Sequence, residues 1–132
     1  MCGIIAMWGE LDDALLHEMM ERIDHRGPDG RGSLTIGECA LGHVRLAIVD
    51  VANGAQPMTN ECGNLAVTFN GEIYNHVELR RQIEGDHIFE TRSDTEVLVH
   101  LYEQYGEDML SKLDGMFAFA MAGPEGMLLA RD

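Results

Sequence analysis

The chain has 132 residues, of which 45% are hydrophobic and 24% are charged, values typical of one globular domain and not of a disordered chain. The formal net charge of −14, with Lys112 as the single lysine, excludes nucleic acids and anionic membranes as partners, because both attract basic surfaces. The surplus of acidic residues favours solubility, and adaptation to high salt is an alternative interpretation.

No apolar run approaches the ~20 residues that span a bilayer, and the N-terminus lacks the pattern of a signal peptide. We therefore expect a cytoplasmic protein. The three cysteines are an odd number, which argues against a disulfide framework. Cys39 and His43 are four residues apart, but no second Cys/His pair has matching spacing, so we expect no metal site.

The residues Met1-Cys2-Gly3 precede an apolar run at 3–8 that predicts a short strand buried on both faces. If the initiator methionine is removed, Cys2 carries a thiol and a free α-amine. Such groups titrate near ~8.5 and ~7.7–8.0 in isolation, so the amine is suited to act as a base for the thiol. The alternative is that Cys2 is a small buried residue at the head of the strand.

An amphipathic helix is predicted next, capped by Asp12 or Asp13. It should end near His25, because Gly27-Pro28 cannot continue a helix. Helical spacing gives it one apolar face. That face comprises Leu15, Leu16, Met19, Met20 and Ile23.

Two strands are predicted at 33–36 and 40–49, joined by a turn at Gly37-Glu38. Arg45 lies inside the second strand, where a charge is costly unless it is paired. Arg45 is therefore a candidate for binding a carboxylate, either a structural one or that of a substrate. We expect His43 to be a packed, hydrogen-bonded side chain.

Residues 50–64 are rich in turn formers and predict a loop that covers a site. A strand at 65–69 runs into Asn70-Gly71. At a strand end, the backbone N–H and the side-chain amide of this pair can point at one oxygen, as an oxyanion hole requires. Asn75 is predicted to cap a helix at 76–83.

The rest of the chain predicts a short strand at 87–90, a helix before Gly106, a short helix at 107–113 and a hairpin of strands at 116–122 and 127–130. Ser93 is the expected N-cap of the longer helix. Asp94 is then either a capping residue or a first-turn acid that the helix dipole favours.

Eight blocks in this order resemble the glutaminase domain of class II glutamine amidotransferases, the N-terminal-nucleophile type. They are Met1-Cys2-Gly3-Ile4, Arg26-Gly27-Pro28-Asp29-Gly30, Arg45-Leu46-Ala47-Ile48-Val49-Asp50, Gln56-Pro57-Met58, Asn70-Gly71-Glu72-Ile73-Tyr74-Asn75, Ser93-Asp94-Thr95-Glu96-Val97, Leu113-Asp114-Gly115-Met116-Phe117-Ala118-Phe119 and Ala130-Arg131-Asp132. The block after Asn70-Gly71 is most similar to the branch of glutamine-hydrolysing asparagine synthetases.

The resemblance implies an α+β fold, the N-terminal-nucleophile αββα four-layer sandwich with antiparallel sheets. It also implies that Cys2 attacks the side-chain amide of L-glutamine and that a thioester, ammonia and then glutamate are formed. Asn70 and Gly71 would form the oxyanion hole. Arg26 and Asp29 would be structural.

The resemblance also assigns the groups that would hold the glutamine main chain. Arg45 would bind the α-carboxylate of the substrate, and a planar guanidinium suits that task. Glu72 and Asp94 would hold its α-ammonium group. The backbone of Ile48 and Val49 would line the pocket.

By the same resemblance, residues 1–132 are an incomplete, C-terminally truncated glutaminase domain that lacks the synthetase domain. The chain itself would need no cofactor, because ATP and magnesium would belong to that synthetase domain. Expected partners are a synthetase domain or subunit, or a second copy of the chain, and the ammonia acceptor stays open. The alternative function is a non-catalytic fragment that binds glutamine or another subunit.

Overall fold

Two antiparallel sheets pack face to face, and helices cover the outer face of each one. The structure, a computed structural model, describes residues 1–47 and 54–132. The strands are β1 (Gly3–Trp8), β2 (Gly30–Ile36), β3 (Cys39–Arg45), β4 (Met58–Thr59), β5 (Ala66–Ile73), β6 (Gly115–Gly123) and β7 (Gly126–Arg131). The helices are α1 (Asp13–Arg22), α2 (His76–Ile83) and α3 (Asp94–Tyr105), with 3₁₀ turns at Asp24–Arg26 and Gly106–Lys112.

The first sheet has the strand order β1-β3-β2 and the second has the order β4-β5-β6-β7. Three buried clusters define the layers. Small residues such as Ala66, Ala120 and Ala122 fill the space between the sheets, which lets the sheets approach closely. Leu16 and Met20 of α1 pack on the outer face of the first sheet. The described elements thus form the four αββα layers that the resemblance implied.

The third and largest cluster lies between the second sheet and α2 and α3. Val67, Phe69 and Ile73 of β5 pack there against α3 residues that include Val97 and Leu101. The three β5 residues alternate along the strand, as expected when one face of a strand is buried in a core. Residues 68, 70 and 72 therefore lie on the opposite face of β5, toward the first sheet.

Helix α1 begins as predicted but ends early. The Asp12 side chain accepts the Leu15 N–H at 3.0 Å, which caps the helix. The helix ends at Arg22, and a 3₁₀ turn replaces the predicted last turn near His25. The prediction that Leu15 belongs to the buried face was wrong, because its side chain is 46% exposed.

The prediction that β5 ends before Asn70-Gly71 was wrong. The strand continues to Ile73, and Gly71 pairs with Phe117 of β6. Gly71 has a φ of 154°, and a Cβ atom there would overlap the Met116 carbonyl oxygen. The glycine thus allows a close approach of two strands instead of forming a turn.

Two further local predictions were wrong, because side chains form hydrogen bonds with backbone groups in these segments. The Asn75 side chain does not cap α2, since it donates to the Lys112 carbonyl at 2.9 Å and accepts the Asp114 N–H at 3.0 Å. Residues 87–90 form no strand, and the Glu90 N–H donates at 2.7 Å to a side-chain carboxylate. The second predicted strand also ends at Arg45, since residues 46 and 47 are not in a strand, and its last two predicted residues lie outside the described residues.

The predicted capping of α3 is confirmed. Ser93 accepts the Thr95 N–H at 3.1 Å at its start, and Gly106, with a φ of 56°, ends it. At 12 residues it is the longest helix in the described parts of the chain. No helix within residues 1–47 and 54–132 has the length and hydropathy that a membrane crossing requires.

Candidate active site

A cavity of about 180 Å³ lies where the start of β1, the end of β3, the edge of β5 and the first turn of α3 meet. This volume is below the ~300–1,000 Å³ of pockets for drug-sized ligands, so the cavity suits a small metabolite. Six of the eight residues that the sequence predicted for the site line it: Cys2, Arg45, Asn70, Gly71, Glu72 and Asp94. The other two, Ile48 and Val49, lie outside the described residues.

Cys2 stands at the head of β1, with its thiol against the end of β3. Its Sγ accepts the Leu46 N–H at 3.3 Å and lies 3.7 Å from the Leu46 carbonyl oxygen. One residue of the β3 end thus offers a donor to a thiolate and an acceptor to a thiol. Met1 also lines the cavity and is 65% exposed, so the bond to Cys2 is accessible from solvent.

The turn at residues 26–30 holds both strand ends in place. Arg26 Nε donates to the Cys2 carbonyl oxygen at 3.0 Å. Asp29 accepts the Ala47 N–H at 2.9 Å and donates its own N–H to the Arg45 carbonyl oxygen at 2.9 Å. These contacts are structural, as expected for Arg26 and Asp29. They hold the backbone of Cys2 and Arg45 in a fixed relative position.

Backbone N–H groups of β5 can donate to side chains or to a ligand at the strand edge that faces away from β6. The Phe69 N–H donates to Gln56 Oε1 at 2.7 Å, and the Ile73 N–H donates to Asp94 Oδ2 at 2.9 Å. Backbone N–H groups alternate in direction along an antiparallel strand. The Gly71 N–H therefore points to the same edge, between the two groups that are bound to side chains.

The Asn70 side chain lies on the face of β5 toward the first sheet, which also brings it to the site. Its neighbour on that face, Thr68, donates to the Gly42 carbonyl oxygen of β3 at 3.1 Å. Side chains two residues apart share a face of a strand, so the Asn70 amide also faces the first sheet, which carries Cys2. The site is thus built on an open strand edge, where the sequence predicted a strand end.

Gln56 was predicted as part of a covering loop, and its role in the site was missed. Its Oε1 receives the Phe69 N–H, and its Nε2 donates to Thr95 Oγ1 at 3.3 Å. Asp94 is 9% exposed and is bound through one carboxylate oxygen to β5. Gln56 and Asp94 together fasten the first turn of α3 to the edge of β5. The block Gln56-Pro57-Met58 was the available signal for this role.

The cavity combines charges of both signs. Arg45 brings a cationic guanidinium, while Glu72 and Asp94 bring carboxyl groups. A ligand with one anionic and one cationic group next to each other, as in a free amino acid, is complementary to this arrangement.

His43 lies below the cavity and is buried between the sheets. Its Nδ1 contacts Thr68 Oγ1 at 3.1 Å, and because that hydroxyl donates to Gly42, the Nδ1 carries the hydrogen. Burial, and then the positive charge of Arg45, lower the pKa of His43 to about 4. A packed, hydrogen-bonded histidine is what the sequence predicted.

The chain is similar in sequence to known proteins along most or all of its length. Residues 1–132 match the glutamine amidotransferase domain family. The glutamine-hydrolysing asparagine synthetase of Asparagus officinalis is 51% identical over 126 residues, covering 92% of this chain and 21% of that protein. Asparagine synthetase 2 of Oryza sativa subsp. japonica is 47% identical over 139 residues, covering 100% of this chain and 23% of that protein. The chain thus spans about a fifth of the length of these relatives.

A solved structure extends the comparison to the fold. The glutamine phosphoribosylpyrophosphate amidotransferase from B. subtilis, complexed with ADP and GMP, matches with a TM-score of 0.80 at 27% identity. The match covers 98% of this chain and 37% of that chain. The two chains therefore share their fold over nearly all of the present sequence.

Proposed function

Because the chain belongs to the glutamine amidotransferase domain family, we propose that it is the glutaminase half of an asparagine-synthetase-like amidotransferase. It hydrolyses L-glutamine to glutamate and ammonia. The observation that supports this most strongly is the meeting of the Cys2 thiol, the open β5 edge at Gly71 and the charged groups of Arg45 and Asp94 in one cavity.

The proposed reaction has two stages, both on Cys2. The sulfur attacks the side-chain carbonyl carbon of glutamine, a C–S bond forms, and the C–N bond breaks. The α-amine, free after removal of Met1, takes the thiol proton and passes it to the departing ammonia. Water then attacks the thioester, releases glutamate and returns a proton to the thiol.

The oxyanion of each tetrahedral intermediate is stabilised by donors on β5. The Gly71 N–H supplies one hydrogen bond from the open strand edge, and the Asn70 side-chain amide supplies the other. Such donors are worth about 10²–10³ in kcat each, because they are oriented before charge develops.

Arg45 binds the α-carboxylate of glutamine, and Glu72 and Asp94 bind its α-ammonium group. The Arg45 side chain stands one residue before Leu46, which contacts the nucleophile. Substrate binding and thiol positioning are therefore coupled through one strand end. Ile48 and Val49, which follow in the sequence, complete the pocket with their backbone in this proposal.

The ammonia is passed to a synthetase domain or subunit, where ATP and magnesium would act. The supporting observation is that the named plant relatives extend far beyond the matched fifth of their length. Self-association of the chain is the other proposed partnership. The acceptor of the ammonia is left open.

The direct test is glutamate release from L-glutamine by the purified chain, after intact mass has established that Met1 is absent. Cys2→Ala should abolish release. Cys62→Ala is the matched control, since Cys62 is an exposed thiol that does not line the cavity. Equal release by the Cys2→Ala variant would rule out the proposed nucleophile.

A second candidate function is suggested by the position of Met1 at the cavity. While Met1 is present, the α-amine of Cys2 is held in a peptide bond and cannot act as a base. The chain would then bind glutamine, or a synthetase subunit, without turnover. Calorimetry that detects glutamine binding while no glutamate forms would favour this function over hydrolysis.

A further inference from the structure

Two histidines and two glutamates from three separate segments meet outside the cavity that holds Cys2. Glu61 follows β4, His87 follows α2, and His100 and Glu103 lie on α3. One ligand atom from each of the four side chains lies within 4.8 Å of the other three. We propose that this cluster binds a divalent transition-metal ion, with Zn²⁺ as the best match.

The spacing of the four side chains fits a tetrahedral ion. Zn–N and Zn–O bonds of about 2.0–2.2 Å place neighbouring ligand atoms of a tetrahedron about 3.4 Å apart. His100 Nδ1 lies 3.0 Å from Glu103 Oε2 and 3.5 Å from Glu61 Oε2. His87 Nδ1 lies 3.3 Å from Glu103 Oε2 and 3.8 Å from Glu61 Oε1. The two contacts to Glu103 share one oxygen, whereas those to Glu61 use different oxygens, so the Glu61 carboxylate has to turn to present one oxygen to the ion.

The surroundings of His87 favour the tautomer that a metal ligand needs, whereas His100 Nδ1 contacts Glu103 Oε2 at 3.0 Å, a contact that an ion would replace. His87 Nε2 lies 3.2 Å from Gln104 Oε1, so a hydrogen on Nε2 is bound and the Nδ1 lone pair faces the cluster. His100 Nε2 is buried without a hydrogen-bond partner among the described residues, and Glu96 Oε1 lies 4.0 Å away. A metal on His100 Nδ1 would keep the hydrogen on Nε2, toward that carboxylate. Such outer partners are usual for metal-bound histidines.

The two carboxylates supply the charge that balances a dication. The Ile88 N–H donates to Glu61 Oε1 at 3.0 Å, which leaves Oε2 available to an ion. Asn60 Nδ2 donates to Glu103 Oε1 at 2.7 Å, so Oε2 faces the histidines. Imidazole nitrogens select zinc-like ions over Mg²⁺ and Ca²⁺, which prefer oxygen ligands.

The exposure of the ligands indicates a structural site. The side chain of His100 is 1% exposed, whereas those of Glu61 and Glu103 are 27% and 23% exposed. An ion can therefore reach the cluster from the side of the glutamates. Four protein ligands close the coordination of a structural zinc ion. The ion would tie the segments after β4 and α2 to the middle of α3, the helix whose first turn carries Asp94.

The test is metal binding by the chain with Cys2→Ala and Cys62→Ser, which removes the two thiols that are not buried. After treatment with a chelator, Zn²⁺ is titrated by calorimetry and Co²⁺ by visible absorption. We expect one ion per chain and a four-coordinate Co²⁺ spectrum. The midpoint of thermal unfolding should rise by roughly 10 °C at a hundredfold excess of Zn²⁺ over its Kd.

Conservative variants assign the binding to this cluster. Glu61→Gln and Glu103→Gln should each weaken Zn²⁺ binding by about 100-fold or more, and Gln104→Ala by about 10-fold. Glutamine can still accept the hydrogen bonds at positions 61 and 103, so the fold should persist, as circular dichroism can verify. Glu84→Gln, at an exposed helix end, is the matched control and should bind zinc normally.

The inference is overturned if Zn²⁺ does not bind saturably, or if it binds equally in Glu61→Gln and Glu103→Gln. In that case the four side chains only contact one another, and zinc should leave the thermal midpoint unchanged. Because the test uses a chain without Cys2, its result is independent of whether the wild-type chain hydrolyses glutamine.

Discussion

The Leu46 N–H donates to Cys2 Sγ at 3.3 Å, across 44 residues of sequence. This contact joins the head of β1 to the end of β3. Because Arg45 precedes Leu46, the proposed nucleophile and the proposed carboxylate ligand are positioned by the same strand end. The turn at 26–30 holds this end through Asp29 and holds Cys2 through Arg26.

The contacts of Asp29 predict an effect on catalysis without direct contact with substrate. Asp29→Ala removes the acceptor of the Ala47 N–H and should lower kcat/KM for glutamine by about tenfold, equivalent to about 1.4 kcal/mol. Asp86→Ala, an exposed acid beyond α2, is the control and should leave kcat/KM unchanged. Identical kcat/KM values for the two variants would show that Asp29 does not position the site.

The Gly71 backbone predicts a large effect on stability. Gly71→Ala places a Cβ atom against the Met116 carbonyl oxygen at a φ of 154°, and it should lower the free energy of unfolding by about 3 kcal/mol or more. Gly85→Ala is the matched control, because a Cβ atom at residue 85 meets open space. Urea denaturation of both variants measures the difference, and equal stabilities would contradict the close strand approach.

The hydrogen bonds of Gln56 predict that this residue supports the β5 edge. Gln56→Ala leaves the Phe69 N–H without its acceptor and should cost about 1–3 kcal/mol of unfolding free energy. It should also lower kcat, since Gly71 lies two residues further along the same edge. Gln82→Ala, exposed on α2, should be neutral in both measurements. If Gln56→Ala lowers kcat no more than Gln82→Ala does, Gln56 has no role in the site.

Because His43 is buried, we expect the free energy of unfolding to decrease in acid. Its pKa falls from 6.5 to about 4 on folding, so between these values the unfolded chain binds a proton that the folded chain does not bind. Stability therefore decreases as the pH falls through this window, by on the order of 2–3 kcal/mol at pH 4.5. His43→Gln, which keeps a donor for Thr68, should remove this part of the pH dependence.

Urea unfolding at pH 7 and at pH 4.5 measures the acid effect. His17→Gln is the matched control, because His17 is exposed on α1. The control should keep the pH dependence of the wild-type chain. An equal acid-induced loss in His43→Gln would assign the effect to other groups.

Local sequence signals predicted those parts of the fold that depend on neighbouring residues. The strand at 3–8, the Asp12 cap and the Ser93 cap form as expected, but the strand is not buried on both faces throughout, since Trp8 is 68% exposed. The αββα order and six site positions followed from the resemblance and were brought together by the structure. The predictions of this strand and these caps depended on neighbouring residues in the sequence, and they were confirmed.

The failures arose where distant groups decide local structure. β5 continues through Asn70-Gly71 because β6, more than 40 residues later, pairs with it. Asn75 is drawn away from its helix by the backbone of residues 112 and 114. The cluster around His100, for which a metal ion is proposed, also joins segments far apart in sequence, which spacing rules for metal ligands do not cover.

The most direct test of glutamine hydrolysis on Cys2 is mass spectrometry of the chain, quenched in acid during turnover of L-glutamine. We expect Met1 to be absent and a glutamyl thioester to be carried by the peptide that begins with Cys2. Cys2→Ala should carry no adduct and release no glutamate, while Cys62→Ala should behave as wild type. Glutamate release by a chain that retains Met1, or that carries Cys2→Ala, would rule out the terminal Cys2 as the nucleophile.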